Sequence, residues 1–470
     1  MEVYRMEQKQ FLILDQPHER TTSFLIGDIV IPAPSFIPEV KGEEDLEVLL
    51  KYSSMVPIGN PFMVPAYRWT NLIDHPLFKT GDVFKGIGPI ADFLRLHPVI
   101  FYDPPEFFRF TLTKNLVSYA LKGNRTDARK FNNYLKKKEY QNAINMVDKF
   151  FQPFVERQIS GILSDSDLVD EAYEGRTSHV EEAWLDPKID EGYFPYIFGI
   201  ASDAQKMPNS TIIPPVPPLL KSSNRTYLST IKMVNRATSL ACEMVSKSSE
   251  NKPVFPYFHL YVDSNIFESG KGNDTTTALN LLKEGLSGGI FSGVAITMHG
   301  YDEMGKAERL SRLASFVNDV VNIAHTNHLP VIMPRSKWHG LFLTDYATQG
   351  FSSLLNGNPK YTRRGALKNP DDKYGKTPII ERCQEVKLEE LKDIIKKHGE
   401  CPSISGLPKK PTMEQLAKGK EKDFRINWSK LYRFIHFEEA KRMRETKIKG
   451  IWNPAKLYLN RSENSDFKSI

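Results

Sequence analysis

The fold class that this sequence predicts is α/β, a (β/α)8 barrel, and three observations predict it. From Pro253 to Asn358, apolar β-rich runs end in polar residues and are each followed by a segment of helical periodicity, three times in succession. Short, near-continuous apolar strands that alternate with helices belong to a parallel sheet covered on both faces. Eight candidate strands occur along the chain, near Phe24, Phe62, Pro98, Thr211, Phe258, Phe291, Pro330 and Phe351, which is the number a closed barrel needs. An open doubly wound sheet is the alternative, because it uses the same right-handed crossovers.

In chain order, Ser23 to Pro34 (SFLIGDIVIPAP) reads as the first strand, ended by its prolines, and Glu43 to Met55 as the helix after it. Pro61 to Trp69 and His97 to Asp103 read as the second and third strands. The rhythm then lapses over about 104–200, where Glu106 to Leu121 and Glu139 to Leu163 carry amphipathic helical patterns, so a helical insertion is expected there. Gly192 to Ala201 reads as a further strand. In STIIPPVPPLL, from Ser210 to Leu220, only Thr211 to Ile213 can join a ladder, because each proline lacks the backbone donor. The last units are clearer. Ala278, Leu279, Leu281, Leu282 and Leu286 mark one helix, and Leu310, Leu313, Ala314, Val317, Val320, Val321 and Ala324 mark the next. The organisation expected is a barrel over 1–358 and a basic appendage over 359–470. In the appendage, residues 359–378 read as connector, and helices are expected over Leu388 to His398 and Trp428 to Lys449.

Charge separates the two parts. From Lys360 to Ile470 there are 27 Lys and Arg against 16 Asp and Glu, a net of +11, so that the overall +6 leaves −5 for the preceding 359 residues. A basic segment on an acidic body is an electrostatic footprint for polyanions, and nucleic acid or a phosphorylated ligand is the expected partner. No apolar run approaches the roughly 20 residues that span a bilayer, so no membrane partner is expected. The first residues do not read as a secretory signal. Cys242, Cys383 and Cys401 lie far apart and form no CxxC pair, which fits a reducing, cytoplasmic setting.

No GxGxxG, GxxxxGK[ST], GxSxG or HExxH is present, so dinucleotide, P-loop, hydrolase-elbow and zincin chemistries lose their main support. The sequence names no cofactor and no metal. Position supplies the candidates instead, since α/β folds bind ligands at the carboxyl ends of their strands. Asp263, Asp28 and His299 are the candidate catalytic groups, carboxylates serving as nucleophile or base and the imidazole as proton carrier. Arg335, Lys337, His259, Asn265, Arg363 and Arg364 are candidates for holding substrate or phosphate, the basic ones standing after the seventh and eighth strands, where barrels often bind phosphate. His259, Tyr261 and Asp263 alternate onto one strand face.

An acidic barrel with carboxylates at its mouth and a basic C-terminal piece resembles, in arrangement, the tRNA-guanine transglycosylase class, in which an aspartate attacks the glycosidic carbon of a nucleoside. The clustered zinc cysteines of that class are absent here. The expected function is therefore a barrel enzyme, a transferase or hydrolase, acting on a phosphorylated or nucleic-acid substrate, with base-directed glycosyl transfer by carboxylate catalysis as its specific form. A non-catalytic scaffold or nucleic-acid-binding subunit is one alternative, and a metal-dependent barrel hydrolase is another.

In the appendage, Arg433, Lys441, Arg442, Arg444 and Lys447 are the candidate nucleic-acid contacts, flanking an apolar stripe of Leu431, Phe434, Ile435 and Met443. About five phosphate contacts give a log-log salt slope of about −4 to −5 for duplex DNA, by counterion release. Binding measured from low to moderate salt should follow that slope, and deletion beyond Gly399 should flatten it; salt-independent binding would reduce the basic end to a solvated surface.

Overall fold

The computed structural model describes residues 23–40, 58–66, 96–102, 125–147, 197–201, 209–214, 254–267, 274–299, 307–336, 348–354, 376–379 and 384–387, with isolated positions and short runs between them. The first described element corrects the sequence reading. SFLIGDIVIP is not one strand but a hairpin, β1 (Ser23–Ile26) paired antiparallel with β2 (Ile29–Pro32). A two-residue Gly-Asp loop joins them, and Gly27 at φ +60 supplies the positive φ that such a loop needs. Asp28 therefore sits in a hairpin turn and not at a strand end of the barrel.

The barrel begins one step later, with β3 (Ser35–Glu39), a segment bounded by Pro34 and interrupted by Pro38. It continues through β4 (Phe62–Pro65), β5 (Val99–Tyr102), β6 (Ser210–Ile213), β7 (Tyr257–Asp263), β8 (Gly293–His299), β9 (Val331–Met333) and β10 (Gly350–Leu354). These eight strands form a single sheet in which every pairing is parallel. Their spatial order follows chain order, and β10 returns to pair with β3. Pro38 is tolerated because β3 meets β4 only at Glu39↔Met63, so its missing N–H costs no ladder bond on that side.

The seam between β6 and β7 is bridged without a continuous ladder, at Ile212↔Pro256 and Leu219↔Val262. The prolines between those points explain the gap, and hydrogen bonds from side chains partly fill it. Thr211 Oγ1 and Ser292 Oγ both donate to the Phe255 carbonyl, at 2.8 and 2.9 Å. The result is a nearly closed (β/α)8-like barrel and not an open doubly wound sheet.

Its interior is one apolar cluster to which Ile37, Met63, Ile100, Ile213, Tyr257, Ala295 and Ile332 each contribute from a different strand, joined by Phe24, Ile26 and Ile31 of the hairpin. The hairpin tip abuts the residue before β6: a Cβ on Gly27 would lie 2.5 Å from the Asn209 side chain. The hairpin thus covers the amino-terminal end of the barrel, opposite the end where barrels carry their sites. Burying the Phe24 ring there is worth about 2–3 kcal/mol of transfer free energy.

Among the described helices, the one after β7 packs on that strand and the one after β8 packs beside that helix. α1 (Arg125–Lys136) and α2 (Tyr140–Asn145) lie within the stretch expected to be an insertion, and most of that stretch falls outside the described residues. A chain turn at Met146 and Val147 interrupts the helix expected from Glu139 to Leu163, with i to i−3 hydrogen bonds closing α2. Ile197 to Ala201 are helical, which corrects that part of the strand expected over Gly192 to Ala201, the first five residues lying outside the described set; a short apolar run does not distinguish the two. α3 (Asp274–Gly288) and α4 (Ala307–Thr326) match the two predicted helices closely. The Phe258 ring occupies the space that a Cβ on Gly285 of α3 would need, so glycine there allows close helix-strand contact. Beyond β10, β11 (Lys376–Ile379) and β12 (Gln384–Lys387) pair antiparallel, β11 beginning inside the stretch read as connector and β12 lying in residues given no sequence reading. The basic helices expected beyond them lie outside the described residues. Among the described residues no helix is long and apolar enough to cross a membrane.

Candidate functional site

The carboxyl ends of the barrel strands carry a buried polar cluster assembled from β3, β5, β10 and the turn after β9. Inward-facing positions alternate along each strand, so Glu39 ends the inner row of β3 and Tyr102 that of β5. Glu39 has no solvent exposure and Arg335 only 3%. Arg335 Nε donates to Glu39 Oε2 at 2.9 Å, and its Nη2 donates to the Tyr102 hydroxyl at 3.0 Å. Tyr102 in turn donates to Glu39 Oε2, and Ser352 Oγ donates to Glu39 Oε1 at 2.9 Å. The guanidinium also lies 5.3 Å from the centre of the Tyr102 ring, within cation-π range.

The pair is electrically neutral as a unit and almost fully removed from water. Such pairs gain little over apolar packing, because desolvation offsets most of the attraction, but removing one partner leaves a buried charge at a cost of about 3–5 kcal/mol. Arg335 was expected to clamp phosphate. Its guanidinium instead bonds a protein carboxylate and a phenol, so Arg335→Ala would destabilise the fold and is no neutral probe of ligand binding.

A second polar group lies on β7 and β8. His259 Nδ1 is 2.8 Å from the Pro214 carbonyl, which only accepts, so Nδ1 carries the proton; Nε2 then accepts from Thr297 Oγ1 at 2.8 Å. The ring stacks on Tyr261 with centroids 6.0 Å apart. Burial lowers the His259 pKa to about 4, and the bond to Pro214 only partly opposes this. The neutral imidazole is a cross-strand tie that reaches the proline-rich segment where ladder bonds are missing. Substrate binding by His259, as expected from sequence, finds both ring nitrogens already bonded.

The other sequence candidates divide by position. Asp263 closes β7 and His299 closes β8, and the ladder sets them side by side as register partners; their side chains lie outside the described set. Asn265 falls in the single 3-10 turn Ser264–Phe267 just beyond β7. Lys337, Arg363, Arg364, Arg433, Lys441, Arg442, Arg444 and Lys447 lie outside the described residues. Asp28 is at the opposite end of the barrel. Glu39, Tyr102 and Ser352 were missed by sequence reasoning. The rule that strand ends carry sites would have found Glu39 once β3 was placed correctly, whereas Tyr102 at the end of VIFY reads as an ordinary core aromatic and nothing in GFSSL singles out Ser352.

Among the described residues no three His, Cys, Asp or Glu side chains gather as metal ligands. No known protein-family model matches the chain, and no curated protein is detectably similar to it.

The histidines give a pH prediction. His259 and His97 both have native pKa values lowered by burial to about 4, against an ordinary value of 6.5. Between those values the unfolded chain binds more protons than the native one, so their contribution is complete above pH 6.5 and is lost as pH falls towards 4. Each group accounts for up to roughly 3 kcal/mol across that window. Urea unfolding at pH 7 and pH 4 should therefore show a smaller acid loss, by roughly 2–3 kcal/mol, in His259→Gln than in the unsubstituted protein. An equal loss in both would mean that His259 is not buried neutral.

Proposed function

We propose that the chain is a (β/α)8-type enzyme that takes a phosphorylated or nucleic-acid substrate at the carboxyl ends of its strands, with base-directed glycosyl transfer by carboxylate catalysis as the specific reaction. The observation that supports this reading is the convergence of Glu39 and Tyr102 from the ends of β3 and β5, Ser352 from β10 and Arg335 from the turn after β9 onto one mouth. A barrel serving only as a scaffold gains little from holding charges there out of water. Active sites of this architecture draw on the ends of several strands in the same way.

Within that reading the carboxylates have different tasks. Both oxygens of Glu39 already accept hydrogen bonds, three in all, so Glu39 organises its neighbours and Asp263 at the end of β7 is the reacting carboxylate. In this reading His299, whose position on β8 is the register partner of Asp263, moves the accompanying proton. A second reading, a non-catalytic nucleic-acid-binding subunit, is favoured by the +11 charge of residues 360–470.

Thermal unfolding of the full chain, with and without nucleoside monophosphates or a transfer-RNA mixture, tests the proposal. A ligand at about 100 times its Kd adds roughly 2.7 kcal/mol to the native state and raises the midpoint by several degrees. Asp263→Asn should keep the ligand-free midpoint within about a degree and abolish release of base from the nucleoside. A fall of many degrees would show that Asp263 holds the fold. Binding of transfer RNA without any turnover would favour the second reading.

A further inference from the structure

The turn that leaves β9 holds a non-glycine residue in the left-handed region, Arg335 at φ +51. Lys138 and His328 share that conformation, but each follows a helix, where a left-handed residue is the ordinary terminator. Arg335 follows a strand. Its conformation costs about 1–2 kcal/mol, and such residues persist only where the surroundings over-determine them.

Here the surroundings are specific. The Arg335 N–H donates to Ser352 Oγ at 2.7 Å, and the Ser336 N–H donates to the Ser352 carbonyl at 3.1 Å. Ser336 Oγ donates to the Met333 carbonyl at 2.7 Å, and the Gly340 N–H donates to the Ser336 carbonyl at 3.2 Å. Gly340 has no room for a side chain, since a Cβ would meet Ser336 Oγ at 2.1 Å. The left-handed turn lets the backbone leave the barrel while the Arg335 side chain points back into it, onto Glu39. Ser352 serves both halves, donating to Glu39 and receiving the Arg335 N–H.

We infer that Glu39 is a positioning residue of the mouth: through Arg335 and Ser352 it locks the turn Pro334–Ser336 in its left-handed form, and so sets ligand affinity there without touching the ligand. The inference rests on the reading of the mouth as a ligand site. With the charge pair broken, the strain at Arg335 favours release of the turn, and a displacement of about 1 Å at a site suffices to lose two orders of magnitude in function.

Three variants of the full chain test it. Glu39→Gln removes the charge with little change of shape. Arg335→Asn keeps a residue that tolerates positive φ and removes the guanidinium. Tyr102→Phe loosens the cluster while leaving the charges paired, and should give a smaller effect of the same kind even where the other two fail to fold. Trypsin supplies the local readout, because it needs the Arg335 side chain that the barrel encloses. In Glu39→Gln the Arg335–Ser336 bond should be cut at least tenfold faster than in the unsubstituted protein, with cleavage at Lys283 of α3 and Arg312 of α4 unchanged; Tyr102→Phe should show a several-fold increase. Guanosine 5′-monophosphate and inorganic phosphate are the probes of affinity, and the concentration giving half the thermal shift should rise at least tenfold in Glu39→Gln and Arg335→Asn.

Unchanged cleavage after Arg335, or equal acceleration at all three sites, would overturn the inference. So would variants that respond to the probes at the same concentrations as the unsubstituted protein. An unsubstituted protein unmoved by either probe would overturn the reading of the mouth as a phosphate or nucleotide site, and the positioning role with it.

Discussion

The contact on which most of this molecule converges is the ion pair between Glu39 and Arg335, which are 296 positions apart in the chain. Closing a loop of that length costs conformational entropy that grows slowly with length, so many contacts must favour it together. The parallel pairing of β10 with β3 provides most of them, and the pair stands at the carboxyl end of that junction. Ser352 of β10 bonds Glu39 of β3, and Tyr102 extends the connection to β5. The join between the first and last strands and the polar lining of the mouth thus rest on the same side chains.

The two ends of the barrel solve different problems. At the amino-terminal end the hairpin β1–β2 fills the interior with Phe24, Ile26 and Ile31, and hydrophobic burial is the main stabilising effect. At the carboxyl end the interior carries Glu39, Tyr102, Arg335, His259, Thr297 and Ser352, all nearly or fully removed from solvent. Buried polar groups raise stability only when fully hydrogen-bonded, and each of these six has at least one partner. Buried hydroxyls without a hydrogen bond among the described residues do occur, on Ser264 beyond β7, on Thr348 before β10 and on Tyr257 in the apolar cluster, where burial pushes the phenol pKa upward.

How much of the fold is legible in the sequence follows from local physics. The run from β7 to β10 is readable because its strands are apolar enough to be buried on both faces and its helices α3 and α4 keep a clear periodicity. The amino-terminal region is harder. IGDI reads through as strand although it is a two-residue turn, and SFIPE is passed over because of its prolines. That one misplacement puts Asp28 among the site candidates and leaves Glu39 out. Arg335 is found by its position after a strand, but its partner cannot be inferred, because no local pattern ties an arginine to a glutamate nearly three hundred residues earlier. Tyr102 ends VIFY, and neither its residue type nor its neighbours distinguish a cluster member from an ordinary core aromatic.

Glu39 and Arg335 must act as one unit if the barrel's closure and its mouth share a single support. The direct measurement is a double-mutant cycle by urea unfolding at pH 7, using Glu39→Gln, Arg335→Met and the two combined. Each single substitution is predicted to cost about 3–5 kcal/mol, and the combination to cost at least about 1.5 kcal/mol less than the sum of the two. Costs that add to within about 0.5 kcal/mol would contradict this, since they would mean that neither side chain depends on the other.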